Sequence, residues 1–262
     1  MDIGQRDLSA GDVVADTFRA WFNNFGQVFV VSLMFTIPVF VVNALVLTSL
    51  PEAPEDIENI ELGNFLVRTL GGSFISIVLG FLLTAALSYA FLKIFRGEVV
   101  DPGETAGGVF GIFGTIALFA IIAGFLTAIG FIFFDIPGLL AVIVFSLGVP
   151  AIINERIGAT DAISRSLRLI SGSWGIALGV VLLGFLINLL LVFVVGGISA
   201  PGALSYPTFA NFDIARSLVQ MGVSALVAPL IPALSTALYF QLKGRTDGFP
   251  STEPPPPQQP YI

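Results

Sequence analysis

Apolar positions along the chain gather into six long runs: Gly26 to Leu50, Leu70 to Phe95, Val109 to Phe134, Ile136 to Ile153, Trp174 to Val195 and Leu218 to Leu242. A helix needs ~20 apolar residues to cross the hydrocarbon of a bilayer. The pattern therefore predicts an all-α, polytopic membrane bundle of six transmembrane helices. Pro38 and Asn43 interrupt the first run, and Pro229 and Pro232 break the last. The third and fourth are divided only by Asp135-Ile136-Pro137-Gly138, a charge followed by a turn signal. The fourth run is the shortest and ends in Leu147-Gly148-Val149-Pro150.

Ahead of the first run, Ser9-Ala10-Gly11-Asp12 reads as a capping box. Val14, Phe18, Trp21, Phe22 and Phe25 then recur at helical spacing, with Asp12, Asp16, Arg19 and Asn23 elsewhere. Residues 10–24 are predicted to form an amphipathic helix. It either lies in the membrane interface with its aromatic face toward lipid or packs on the bundle. Asp2, Asp7, Asp12 and Asp16 against a single Arg6 do not make the basic start of a signal peptide.

Composition sharpens this reading. The 262 residues are 55% hydrophobic and 11% charged, with a mean hydropathy of +0.94. A soluble chain uses about 25% charged residues to cover its surface, so a membrane is the only medium that suits the balance. The chain has no His and no Cys. That removes the imidazole base, the Ser-His triad, the thiolate nucleophile, iron–sulfur ligation and the usual zinc site. We expect no catalytic residues, no cofactor, no metal and no enzyme activity. The net charge of −7 argues against a nucleic-acid partner.

The few cations are informative by position. With six spans, the side of the N-terminus holds Arg6, Arg19, Lys93, Arg96, Arg156, Arg165, Arg168, Lys243 and Arg245, against Arg68 and Arg216 opposite. Lysine and arginine loops stay cytoplasmic. If 109–153 crossed only once, this bias would vanish. The expectation is thus a bacterial inner-membrane protein with both termini in the cytoplasm. The outward segment Pro51 to Glu61, with five acids and no base, fits that side. It reads as a solvated loop rather than a cation site, lacking the ligand alternation of a calcium loop.

Two distant stretches resemble each other. Gly11-Asp12 through Arg19 to Phe25-Gly26 lies over Thr160-Asp161 through Arg168 to Trp174-Gly175. Asn64-Phe65 ahead of Arg68 echoes Asn211-Phe212 ahead of Arg216, and Tyr89 to Lys93 echoes Tyr239 to Lys243. The expected unit is an amphipathic helix, a span out, a loop and a span back. Its copies cover about 9–97 and 158–248, with a hairpin at 109–153 between them. An even number of spans separates the copies, so the repeat is parallel. Residues 1–248 make a single membrane domain, and 249–262 a proline-rich tail expected to be disordered or polyproline II.

Pro150 followed by Glu155-Arg156, then Ala162-Ile163-Ser164-Arg165-Ser166, Leu169, Gly172 and Trp174, resembles the signature of a bacterial family of six-span proteins. This is the glycerophosphoryl diester phosphodiesterase membrane domain family, related to the YciC-like inner-membrane proteins. Leu8-Ser9-x-Gly11, Phe25-Gly26 and Ala237-Leu238-Tyr239-Phe240-x-Leu242-Lys243 are also similar, so the resemblance covers roughly residues 8–248. It concerns the membrane region only and implies no catalytic domain, hence no phosphodiesterase activity.

Candidate functional positions are correspondingly few. No ionisable residue is expected near a bilayer midplane, where it would mark a proton or substrate path. Asn43, Thr84, Ser88, Thr115, Thr127, Ser146, Asn188, Ser224, Ser235 and Thr236 lie inside spans. They serve interhelical hydrogen bonds or, as the rarer alternative, a substrate path. Gly107-x-x-x-Gly111 and Gly175-x-x-x-Gly179 fit close helix packing. Pro229 and Pro232 free backbone carbonyls, either at a kink satisfied by Ser224 or Ser235 or at a transport path. Arg156, Arg165, Arg168, Lys243 and Arg245, with Lys93 and Arg96, could hold anionic lipid headgroups. Positive-inside bias alone would also gather them, and Glu155 could pair with Arg165 or Arg168 instead. The expected role is membrane organisation or maintenance, with the bilayer and its anionic lipids as partners; the alternative is a transporter of a small solute or lipid.

Overall fold

The structure is a computed structural model that describes residues 9–48, 62–133, 135–199 and 214–247. Among them every regular element is a helix. α1 spans Ala10–Asn23, α2 Phe25–Thr48, α3 Leu62–Phe95, α4 Pro102–Phe110, α5 Phe113–Phe133 and α6 Asp135–Ser146. α7 spans Gly148–Glu155, α8 Ala159–Ile170, α9 Trp174–Ser199, α10 Ile214–Val227 and α11 Leu230–Asp247. Six segments are long and apolar enough to cross a membrane: α2, the second half of α3, α5, α6 with α7, α9, and α10 with α11. The acidic segment 51–61 and the tail 249–262 lie outside the described residues.

α1 begins where the capping signal places it. Ser9 is extended, and its Oγ accepts from the Asp12 amide at 3.1 Å. Val13, Thr17 and Trp21, one turn apart, are buried against α9 and α11. Trp21 thus turns inward, away from the direction expected of the aromatic face, while Phe22 and Phe25 remain exposed. Only Asn24 separates α1 from α2, and its side chain donates to the Ala20 carbonyl at 2.9 Å.

Three boundaries differ from the hydropathy pattern. α3 starts at Leu62, eight residues before the apolar run, so Arg68 belongs to a helix and not to a loop. Hydropathy measures how much of a helix suits lipid, not where its backbone ladder begins. A separate helix, α4, starts seven residues ahead of the third run and ends at its second residue, and α5 carries the rest. Asp101 caps α4 by accepting from the Glu104 amide at 2.7 Å, and Pro102 sits in its first turn. The fourth run divides at Leu147 into α6 and α7. Pro150 has no N–H for the Ser146 carbonyl, which stops the ladder there.

Glycines set the closest approaches. A Cβ on Gly130 would lie 2.8 Å from the Gly138 backbone, so the α5–α6 hairpin closes backbone to backbone. A Cβ on Gly148 would fall inside the Phe119 ring, and one on Gly108 would meet the Tyr89 ring at 2.8 Å. Of the two Gly-x-x-x-Gly pairs, Gly107 and Gly175 face open space, and Gly179 approaches Ala10 of α1.

The innermost elements are the second half of α3, α7 and α11, where Leu87, Phe91, Ile152, Leu238 and Tyr239 are fully buried. α2, α5 and α9 form the outside and present Leu45, Phe125, Phe185 and Phe193 outward. Helices that are hydrophobic all round need an apolar surrounding. The apolar exterior and the apolar core together are what a bilayer solvent requires.

Candidate functional site

Polar side chains converge at one end of the bundle, where α3, α7, α8 and α11 meet. Glu155, the last residue of α7, is the hub. Its carboxylate accepts from the Tyr239 hydroxyl at 2.7 Å, from Arg165 Nε at 2.9 and 3.0 Å, and from Lys243 Nζ at 3.1 Å. Tyr239 Oη in turn accepts from Asn154 Nδ2 at 2.7 Å. Arg165 also donates to Asp247, and Arg96 of α3 donates to the Asn154 side-chain oxygen. Two carboxylates thus face two close cations, with Arg96 joined through an amide.

Local sequence explains how these groups meet. Arg165 projects from α8, which buries Ala159, Ala162, Ser166, Leu169 and Ile170 and leaves Asp161 and Arg168 exposed. Tyr239 and Lys243 stand one turn apart on α11, which brings the ammonium 5.8 Å from the ring centroid. The Arg165 side chain is only 11% exposed. Its guanidinium is held above its ordinary range, chiefly by the hydrogen bond to Asp247, while desolvation pulls the other way. Both Glu155 oxygens are occupied, which suits the carboxylate to fixing helices rather than to exchanging protons.

A second, smaller bracket sits on α3. Lys93 lies 6.0 Å from the Tyr89 ring centroid and pairs with Glu104 of α4 at 2.5 Å. Tyr-x-x-x-Lys plus a carboxylate from another element therefore occurs twice.

The expected headgroup residues separate into two kinds. Arg165 and Lys243 are engaged by Glu155, and Arg165 also by Asp247. Arg156, Arg168 and Arg245 are exposed around that network. Arg156 caps α7 in the left-handed conformation, φ 55° and ψ 36°, and its amide bonds the Ile152 carbonyl at 2.9 Å. Glycine or asparagine is the usual residue there.

The prolines also separate. Pro229 makes the break between α10 and α11, leaving the Ala225 carbonyl without an in-helix partner. Ser32 of α2 supplies it, donating from Oγ at 2.7 Å in a fully buried contact. The partner is thus neither Ser224, which is exposed, nor Ser235, because the freed carbonyl points across to α2. Pro232 lies in the first turn of α11, where an N–H has no in-helix acceptor, so it breaks nothing.

Beside this break, a cavity of about 220 Å³ opens between α6, α9 and α11. It reaches Ile231, and its walls are apolar apart from Ser146, Asn188 and Ser235. Ser146 Oγ donates to the Ile143 carbonyl at 2.7 Å. No polar channel continues from it to Pro229 among its lining residues.

Asn154, Tyr239, Asp247 and Glu104 were not among the expected site residues. The signal that could have found the brackets is the matched Tyr-x-x-x-Lys spacing at 89–93 and 239–243. Comparison with protein-family models, with curated proteins and with solved structures finds no match for this chain. The fold and the site define its class: an all-helical chain with six segments able to cross a membrane and an ion-paired polar cluster at one end of the bundle.

Proposed function

We propose that this protein is a non-enzymatic, multi-pass membrane protein that organises or maintains the bilayer by holding anionic lipid headgroups. The observation that carries the reading is the arrangement of Arg156 and Arg168. Both are exposed beside a network whose own charges are already balanced. Cations at a leaflet surface attract anionic lipid by about 1 kcal/mol each. In this reading Arg165 and Lys243 build the platform and the exposed arginines contact lipid. Arg156 retains a cation at a position that would cost a non-glycine residue about 1 kcal/mol, which supports a role for its side chain.

The same proposal places the chain in a bacterial inner membrane with both termini in the cytoplasm, the polar end at the cytoplasmic leaflet and α1 and α8 in the interface. It takes α1 to α3 and α8 to α11 as copies of a parallel repeat, supported by the two Tyr-x-x-x-Lys brackets. It makes the chain a relative of the glycerophosphoryl diester phosphodiesterase membrane domain family. Carriage of a small solute or lipid is a second reading, favoured by the cavity beside the Pro229 break.

The test is the anionic lipid that co-purifies with the full chain. Arg156→Gly with Arg168→Ala should reduce it several-fold with no loss of thermal stability. Unchanged lipid in that variant would sink the headgroup reading.

A further inference from the structure

We infer that the cavity between α6, α9 and α11 is a lateral binding site for a membrane-dissolved hydrocarbon chain bearing a hydroxyl, seated by Asn188 and Ser235. This rests on the bilayer reading of the fold and names a ligand class for its second function.

Three observations carry it. The first is the opening. The cavity is not enclosed, and Phe185 on its lining is 61% exposed on the outer face of α9. That face is the one an apolar surrounding must cover, so entry is from lipid rather than from water.

The second is depth. At 1.5 Å per residue, Asn188 lies about 21 Å along α9 from Trp174, and Ser235 about 18 Å from the Asp247 end of α11. In a hydrocarbon core ~30 Å thick, both stand near the middle. Headgroups do not reach that level, and dissolved chains do.

The third is polarity. Asn188 and Ser235 project from facing helices into the cavity and make no hydrogen bond with a described residue. Ser146, by contrast, is satisfied by its own helix. Away from water, unmet amide and hydroxyl groups are costly, and a ligand oxygen that both accepts and donates would satisfy them. The volume, about 220 Å³, exceeds the roughly 150 Å³ apolar cavity that admits benzene, so several methylenes and a hydroxyl fit. Within its wall α9 and α11 approach closely, since a Cβ on Gly184 would lie 2.7 Å from the Leu234 side chain.

The test uses the full chain in neutral phosphatidylcholine vesicles, with a trace of a long-chain fatty alcohol carrying a diazirine beside its hydroxyl. A matched alkane with the same diazirine serves as the second probe. After illumination, labelled peptides are located by mass spectrometry. The alcohol should label 181–188 and 231–238 more than the alkane does. Asn188→Leu should lower that labelling about threefold to tenfold, the worth of one net hydrogen bond. Val181→Phe, which adds bulk at the cavity wall and leaves both polar residues in place, should lower both probes there. Labelling of α5 near Phe125 and Ile132 should not change. Equal labelling of the cavity by both probes, or labelling indifferent to both variants while α5 remains labelled, would overturn the site alone. Absence of label on α5 would overturn the bilayer reading and the site with it.

Discussion

Replacing Glu155 by glutamine isolates the charge of the hub while keeping its shape. Glutamine retains one oxygen to accept from Tyr239, yet its amide turns N–H groups toward Arg165 or Lys243, which can only donate. The Arg165 contact dominates, because the Arg165 and Glu155 side chains are 11% and 18% exposed. A little-exposed charged hydrogen bond contributes about 1.5–3 kcal/mol. Lys243 is 32% exposed, and its pair is screened to about 0.5 kcal/mol. Arg165 keeps Asp247, so it is not left wholly uncompensated. The expected loss is about 2–3 kcal/mol, a fall in Tm of about 5–10 °C at this size. The readout is thermal unfolding of the full chain in detergent, followed by tryptophan fluorescence, in which buried Trp21 on α1 should change more than the exposed Trp174. Asp247→Asn, at the more exposed end of the network, should cost less. A fall under 1 °C for Glu155→Gln, or a larger fall for Asp247→Asn, would refute the placing of Glu155 as the hub.

Three further expectations follow from packing and placement. Ser32→Ala should cost about 1–2 kcal/mol by leaving the buried Ala225 carbonyl unpartnered. Ser224→Ala, on the exposed side of the same break, should shift the unfolding midpoint negligibly. Gly130→Val should force apart the α5–α6 hairpin, where a Cβ already lies 2.8 Å from backbone, and lose a few kcal/mol or the folded fraction in size-exclusion chromatography. Reporters at Glu58 and Ile262 should fall on opposite sides of the membrane in an accessibility assay; finding both on one side would overturn the six-span arrangement.

The membrane-length segments were legible because the bilayer asks for one crude property over a long window. All six apolar runs correspond to segments long and apolar enough to cross. The breaks inside them were legible only where a residue removes a donor. Pro229 announced the α10–α11 interruption, and Pro150 the one at Leu147, although the latter run was read as a single helix. Asp101-Pro102, a capping residue followed by a good first-turn residue, announced α4, but hydropathy alone passes over it. The start of α3 at Leu62 was not legible, because Gly63, Asn64 and Arg68 interrupt the apolar pattern over its first turns.

The site was harder to read for a physical reason. Charge clustering in sequence says which side of a membrane a cation occupies, and nothing about which carboxylate it meets. Arg165 and Glu155 are ten residues apart and their pairing could be anticipated; Asp247 comes from 82 residues away and Tyr239 from 84. Only the fold of α11 against α7 and α8 brings them together. Once it does, the meaning of the basic cluster changes. A tally of cations treats Arg165 and Arg168 as equivalent, three residues apart on one helix. Burial makes one of them a strut between helices and leaves the other facing outward. Any ligand for this end of the molecule must therefore be sought by varying the exposed arginines, because varying the buried one tests the platform instead.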